Sequence, residues 1–202
     1  MKVYLVRHGE TDGNLARCMQ GSVDTPLNAR GREQATVTAE ALKEISFDRA
    51  FCSLLCRTKE TAEIILGERS TPLEQDRRLM EIAFGEAEGR SITVAKTDPE
   101  DRMHAFFAAP ETFVPMSGGE SFEDVRRRTA AFVEERLLPL EGTCKTVLLV
   151  SHGVAIRSLF HPVAGIPLRD FWERPVQNCS VTVLEVENGQ LRLAEETRVY
   201  YK

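Results

Sequence analysis

What this 202-residue chain lacks narrows its possibilities first. No apolar run approaches the ~20 residues that a membrane-spanning helix needs. The N-terminus runs straight into a strand-like segment, without the apolar stretch and cleavage site of a secretory signal. A cytoplasmic location is therefore expected. There is no basic excess: the net charge of −5 argues against broad binding to nucleic acid or a membrane surface. Any anion site must be local, set in an acidic surround. The five cysteines are odd in number and irregular in spacing, which excludes a disulfide framework. Cys52 and Cys56 have no second pair and no histidine at metal-ligand spacing, so they read as buried or partly buried thiols. No metal and no cofactor is expected. Repeats, low-complexity tracts and linkers are also missing, so residues 1–202 are expected to form one domain.

What is present is an alternation of strand and helix signals. Residues 2–6, 48–52, 73–75 and 146–150 read as strands. Helices are expected over 28–45, capped by Asn28, over 55–66, ended by Gly67, and from about 121 to 138, with Ser121 as cap and Asp124 in the first turn. Another is expected over 154–164. Segments 180–186 and 190–199 flank Asn188-Gly189, a hairpin signal. This order implies an α/β three-layer sandwich, a mostly parallel mixed sheet with helices on both faces and an antiparallel edge. Residues 82–119, rich in Gly and Pro with a helical pattern only near 100–108, read as an irregular cap or excursion.

Two apolar strands each run out into a histidine followed by glycine: Val3-Tyr4-Leu5-Val6 into Arg7-His8-Gly9-Glu10, and Val147-Leu148-Leu149-Val150 into Ser151-His152-Gly153. Ligands of open α/β sheets bind outside the carboxyl ends of the strands, so both imidazoles are expected at one anionic site. His8 is the candidate nucleophile, with one ring nitrogen unprotonated and the other N–H held by a backbone carbonyl. Arg7 and Arg57 are candidate phosphate clamps, because guanidinium donors match phosphate oxygens. A protonated His152 would complete a three-cation cradle, and the backbone N–H groups of Gly153 and Val154 would add a positive helix end. Glu81, flanked by apolar residues, is the candidate proton donor, its carboxyl pKa raised by partial burial; Glu10 and Glu86 are rivals. Asn14, Gln20 and Gly21 follow the first strand and offer further donors, with Thr11 and Asn178 behind them. His104 and His161 read as packing histidines, and Arg126-Arg127-Arg128 as the wet face of the long helix. Phe84, Phe106, Phe107 and Phe113 are candidates to line a pocket, core packing being the competing use.

Arg7-His8-Gly9-Glu10-Thr11 together with Ser151-His152-Gly153 resembles the histidine phosphatase superfamily, also called phosphoglycerate-mutase-like. Gly21 to Leu27 with Gly31 and Gln34-Ala35, Ser53 to Thr61, Leu79 to Gly89, and Gly118 to Ser121 resemble four further segments of that family in the same order. The resemblance implies a phosphohistidine mechanism. His8 would take the phosphoryl group, Arg7, Arg57, His152 and Asn14 would stabilise its charge, and Glu81 would protonate the leaving oxygen and then activate water. The glycolytic mutases of the family are longer, carry an Arg-His-Tyr triplet after the acid and have a basic run in the excursion. This chain has Ile82-Ala83-Phe84 there, and only Lys96, Arg102 and His104 as basic groups over 91–119. It is more similar to the short phosphatase branch, which includes broad-specificity and α-ribazole-5′-phosphate phosphatases, although Ala87 replaces a tryptophan common in that branch. The expectation is a metal-independent phosphatase acting on small-molecule phosphomonoesters. Mutase-type transfer and a catalytically dead phospho-ligand-binding protein are the alternatives.

Overall fold

The computed structural model describes residues 1–202 and holds one six-stranded sheet, in spatial order β3-β2-β4-β1-β5-β6. The strands are β1 (Lys2–Arg7), β2 (Arg49–Cys52), β3 (Leu73–Gln75), β4 (Thr146–Ser151), β5 (Val181–Glu187) and β6 (Gln190–Arg198). The ladders joining β1, β4, β2 and β3 are parallel, whereas β5 pairs antiparallel with both β1 and β6. The central strands are apolar on both faces because both are covered. Val3 and Leu5 face a cluster with Phe132, Ile156, Leu159 and Phe160. Tyr4 and Val6 face the opposite cluster with Ala62, Ile65 and Leu66. One cover layer is therefore α6 (Phe122–Phe132) and α7 (Gly153–Phe160), and the other contains α2 (Ala29–Ala41) and α3 (Cys56–Leu66). This is the expected three-layer sandwich.

Several boundaries differ from the sequence expectation. The first long helix ends at Ala41, because Leu42 to Glu44 turn away rather than continue. The helix from Ser121 keeps its cap, a full capping box with Asp124, but relaxes into a π-turn over Val133–Leu137 before Pro139. α7 stops at Phe160, just before Pro162. The excursion is more ordered than its composition suggests. It carries α4 (Ile92–Thr97) and α5 (His104–Ala108), and Met103, Phe106, Met116 and Phe122 bury there with Val154 and Phe171 as a third cluster. All five cysteines are free thiols, Cys52 and Cys179 buried and the others partly so. No helix is long and apolar enough to cross a membrane.

Candidate active site

Parallel pairing of β1 with β4 sets Arg7 opposite Ser151. His8 and His152, each one residue further on, therefore leave the sheet side by side. Their ring centroids lie 5.1 Å apart. β2 adjoins β4 on the other side, Cys52 opposite Val150, so the chain from Ser53 to Arg57 emerges next to His152. Ser151 Oγ donates to the Leu79 carbonyl (2.7 Å), tying in the segment that carries Glu81.

His8 is buried, and its Nδ1 lies 2.7 Å from the Gly9 carbonyl. That carbonyl can only accept, so Nδ1 carries the hydrogen and Nε2 keeps its lone pair. Burial, reinforced by the Arg57 and Arg7 cations, holds the imidazole well below its ordinary pKa, so the ring is neutral.

His152 is more enclosed still, with no exposed surface. Arg57 Nε donates to its Nδ1 (3.3 Å), so its hydrogen is on Nε2, which donates to Ser53 Oγ (2.8 Å). Burial, then the neighbouring Arg57, holds this imidazole well below its ordinary value as well. The expected protonated His152 and its three-cation cradle are thus corrected: a nitrogen that accepts from a guanidinium is unprotonated.

Arg57 is also differently employed. Its Nη1 donates to the Val23 carbonyl (2.7 Å) and its Nη2 to the Gly21 carbonyl (2.9 Å), bracing the loop that follows α1 (Asp12–Leu15). Arg57 and His152 form a layer behind His8 rather than part of the cavity wall.

The cavity itself, about 250 Å³, is floored by Arg7, His8, Asn14, Gln20, Glu81 and Gly153. Arg7 Nη1 donates to the Val176 carbonyl (2.8 Å), but its enclosed Nε has no partner. Asn14 Oδ1 accepts from the Thr11 N–H and from Asn178 Nδ2, which leaves the Asn14 amide donors unused by the protein. Gln20 Oε1 accepts from Thr11 Oγ1 (2.8 Å), and its Nε2 has no partner. Gly21 does not offer a free N–H. It donates to Glu88 Oε2 (2.8 Å), and its bare Cα allows the loop to lie against the Ile82 carbonyl.

The start of α7 is likewise occupied. The N–H groups of Val154 (3.1 Å) and Ala155 (3.3 Å) donate to Glu81 Oε1, as does that of Ile82 (3.0 Å). Of the two helix-start N–H groups expected to receive phosphate, that of Val154 instead positions a carboxylate, while Gly153 lines the cavity. Glu81 Oε2 shares only the Val154 N–H (3.2 Å) and is the freer oxygen.

Some functional positions escaped the sequence reading. Ser53 Oγ receives the Nε2 hydrogen of His152 and so holds the ring in place. Arg128, placed on a wet helix face, turns inward to Glu120 and donates to the carbonyls of Arg78, Met80 and Glu81, while Arg126 and Arg127 pair with acids on their own helix. Arg157 lines the cavity, one turn into α7. Glu10 accepts from Asn28 and Glu86 is exposed, so neither rivals Glu81 by position. His104 Nδ1 pairs with the Ala95 carbonyl, and His161 packs between the Phe160 and Phe171 rings. A wider groove of about 610 Å³, bounded by residues such as Arg126, Leu159 and Leu191, shares no lining residue with the His8 cavity. No group of three or more His, Cys, Asp or Glu side chains is gathered as metal ligands.

Comparison with known proteins agrees with this geometry. The model of the histidine phosphatase superfamily (branch 1) matches residues 3–197. A relative named probable phosphoglycerate mutase GpmB, from Proteus mirabilis, is 36% identical over 94% of this chain and 86% of its own length. Among solved structures, Bacillus stearothermophilus YhfR superposes with a TM-score of 0.88 at 36% identity, covering 96% of both chains. The α-ribazole phosphatase from Shigella flexneri superposes with a TM-score of 0.84 at 29% identity, covering 98% of this chain and 96% of that one.

Proposed function

The chain belongs to the histidine phosphatase superfamily, and on that premise we propose that it hydrolyses small phosphomonoesters through a phosphohistidine on His8, without a metal ion. One observation carries this reading: an unprotonated His8 Nε2 beside unused donors of Arg7, Asn14 and Gln20, on a cavity floor shared with Glu81. In the first step the Nε2 lone pair attacks phosphorus in line. The bond from phosphorus to the alcohol oxygen breaks, and that oxygen takes the proton of the Glu81 carboxyl at Oε2. The guanidinium of Arg7 and the side-chain amides of Asn14 and Gln20 hold the phosphoryl oxygens as charge builds on them. In the second step the Glu81 carboxylate takes a proton from water, whose oxygen attacks phosphorus. The phosphorus–nitrogen bond breaks, releasing inorganic phosphate, neutral His8 and reprotonated Glu81. Arg57 and His152 act from behind, fixing the loop over Gly21 and the packing of the His8 ring. The volume of about 250 Å³ favours small metabolites over phosphorylated macromolecules.

The test is release of phosphate from p-nitrophenyl phosphate in EDTA, with rapid quench to capture an acid-labile phosphoenzyme. Activity that disappears on chelation, or an undiminished His8→Ala variant, would sink the proposal. The names of relatives such as the Proteus protein favour a second reading, mutase-type transfer. Conversion of 3- to 2-phosphoglycerate without net phosphate release would support it over hydrolysis.

A further inference from the structure

The wall of the cavity nearest α4 and α7 carries two cations that the mechanism above does not use. The Arg157 guanidinium lies 4.9 Å over the Trp172 ring, and Lys96 Nζ lies 5.0 Å over the Phe107 ring. The two rings touch, with centroids 5.3 Å apart. Trp172 is fixed by an indole N–H donated to the Phe106 carbonyl (2.7 Å). All four side chains line the cavity that holds His8.

Neither cation has a carboxylate within ion-pair distance, although seventeen such pairs engage charges elsewhere in the molecule. Arg157 is only 7% exposed, and its enclosed Nε has no hydrogen-bond partner. Its other nitrogens donate to the carbonyls of Gly153 and Arg174, which hold the group in place without neutralising it. A buried charge without a counter-ion is costly, and aromatic faces offset only part of that cost. Burial, with the Arg7 cation adding to it, lowers the Arg157 pKa to about 10, which still leaves it charged near neutrality.

Position decides what this charge is for. A Cβ built on Gly153 would lie 3.6 Å from Arg157 Nη1, 3.6 Å from Glu81 Oε2 and 3.8 Å from Arg7 Nε. Arg157 therefore begins beside the proton donor, where the leaving oxygen has to lie, and the wall continues outward to the exposed Lys96. Among the charged groups of the cavity wall, Arg7, Lys96 and Arg157 oppose Glu81 alone. A phosphomonoester carries about two negative charges near neutrality, so with Glu81 protonated as the donor one of these three positive charges is left unmatched.

Resting on the phosphatase reading of the same site, we propose that Arg157 and Lys96 receive a carboxylate on the leaving part of the substrate. The preferred substrates are then small phosphorylated hydroxy acids, not neutral alkyl or aryl esters. A carboxylate is the smaller of the common acidic groups and fits beside a phosphoryl group in this volume; a second phosphate is the competitor that the experiment separates.

The experiment compares kcat/KM for matched esters: phosphoglycolate against ethyl phosphate, and phospholactate against isopropyl phosphate, with ethylene glycol bisphosphate as a third arm. The wild-type protein is expected to favour each carboxylate ester by at least about tenfold, some 1.4 kcal/mol. Arg157→Gln and the surface variant Lys96→Gln should each pull that ratio toward one, whatever they do to the absolute rates, and Arg157→Lys should restore part of it. Lys96→Gln keeps the test open should loss of the buried guanidinium impair folding. A wild-type ratio near one, a ratio unmoved by either substitution, or preference for the bisphosphate overturns the proposal while leaving hydrolysis intact. If no ester is hydrolysed, the phosphatase reading fails by itself. The same pairs titrated calorimetrically then still decide the carboxylate preference, equal affinities overturning it.

Discussion

His8 and His152 occupy equivalent places at the ends of neighbouring parallel strands, yet they are built for different work. Both are buried and both are neutral. The difference lies in the hydrogen-bond partner of Nδ1. In His8 it is a carbonyl, which takes the hydrogen and leaves Nε2 bare. In His152 it is a guanidinium, which supplies a hydrogen and leaves Nε2 protonated against Ser53. The sheet delivers two similar rings to one place, and their neighbours decide which one can attack an electrophile. Polarity of the partner, not depth or proximity, separates nucleophile from support.

The contrast can be broken most severely at His8. His8→Ala should lower phosphatase turnover by about 10⁴-fold or more, with an unchanged circular dichroism spectrum; His152→Ala losing as much while keeping its fold would erase the distinction. Next in size is Glu81→Gln, which removes the proton donor. A loss of roughly 10²–10⁴-fold is expected on alkyl esters but far less on p-nitrophenyl phosphate, whose leaving group departs without a proton. Equal losses on both would deny Glu81 that role.

Ser53→Ala sharpens the comparison from the other side, since it strands the His152 Nε2–H in a fully enclosed place. A stability loss of about 1–3 kcal/mol is expected from thermal melts, with kcat lower by about tenfold; a variant as stable as the parent would mean that Ser53 does not fix the ring.

A further effect is on acid stability. His8, His152 and His161 all have folded pKa values below the unfolded value, His161 at about 4. Above ~6.5 neither state holds the proton and their contribution is complete. As pH falls below that, the unfolded chain takes up protons that the folded protein refuses, and stability drops by about 1.4 kcal/mol per pH unit for each group. For His161 the decline ends near 4. Urea melts from pH 7 to 4 should show this slope, with His161→Phe reducing it; a flat profile would contradict three neutral rings.

The parts of this arrangement that are local in the chain were legible in it. Continuous apolar runs mark β1 and β4 as buried parallel strands, Ser121 and Asp124 announce the start of α6, and Asn188-Gly189 announces the hairpin. Since paired parallel strands end together, the meeting of His8 with His152 followed from those runs. What was illegible depends on partners far apart. Ser53 meets His152 across 99 residues, Gly21 meets Glu88 across 67, and Arg128 reaches the Glu81 carbonyl across 47. No local pattern marks Arg128 out from Arg126 and Arg127, and the same holds for Arg157 on α7. The charge of His152 was misread for the same reason: proximity to an anion site suggests a cation, and only the donor on Nδ1 reverses that.

Every residue of α7, from Gly153 to Phe160, is buried. Its amide hydrogens should therefore exchange with solvent only when the whole molecule opens, whereas α4, with most of its residues exposed or partly so, can breathe locally. Hydrogen–deuterium exchange would show one flank of the same chamber locked and the other in motion.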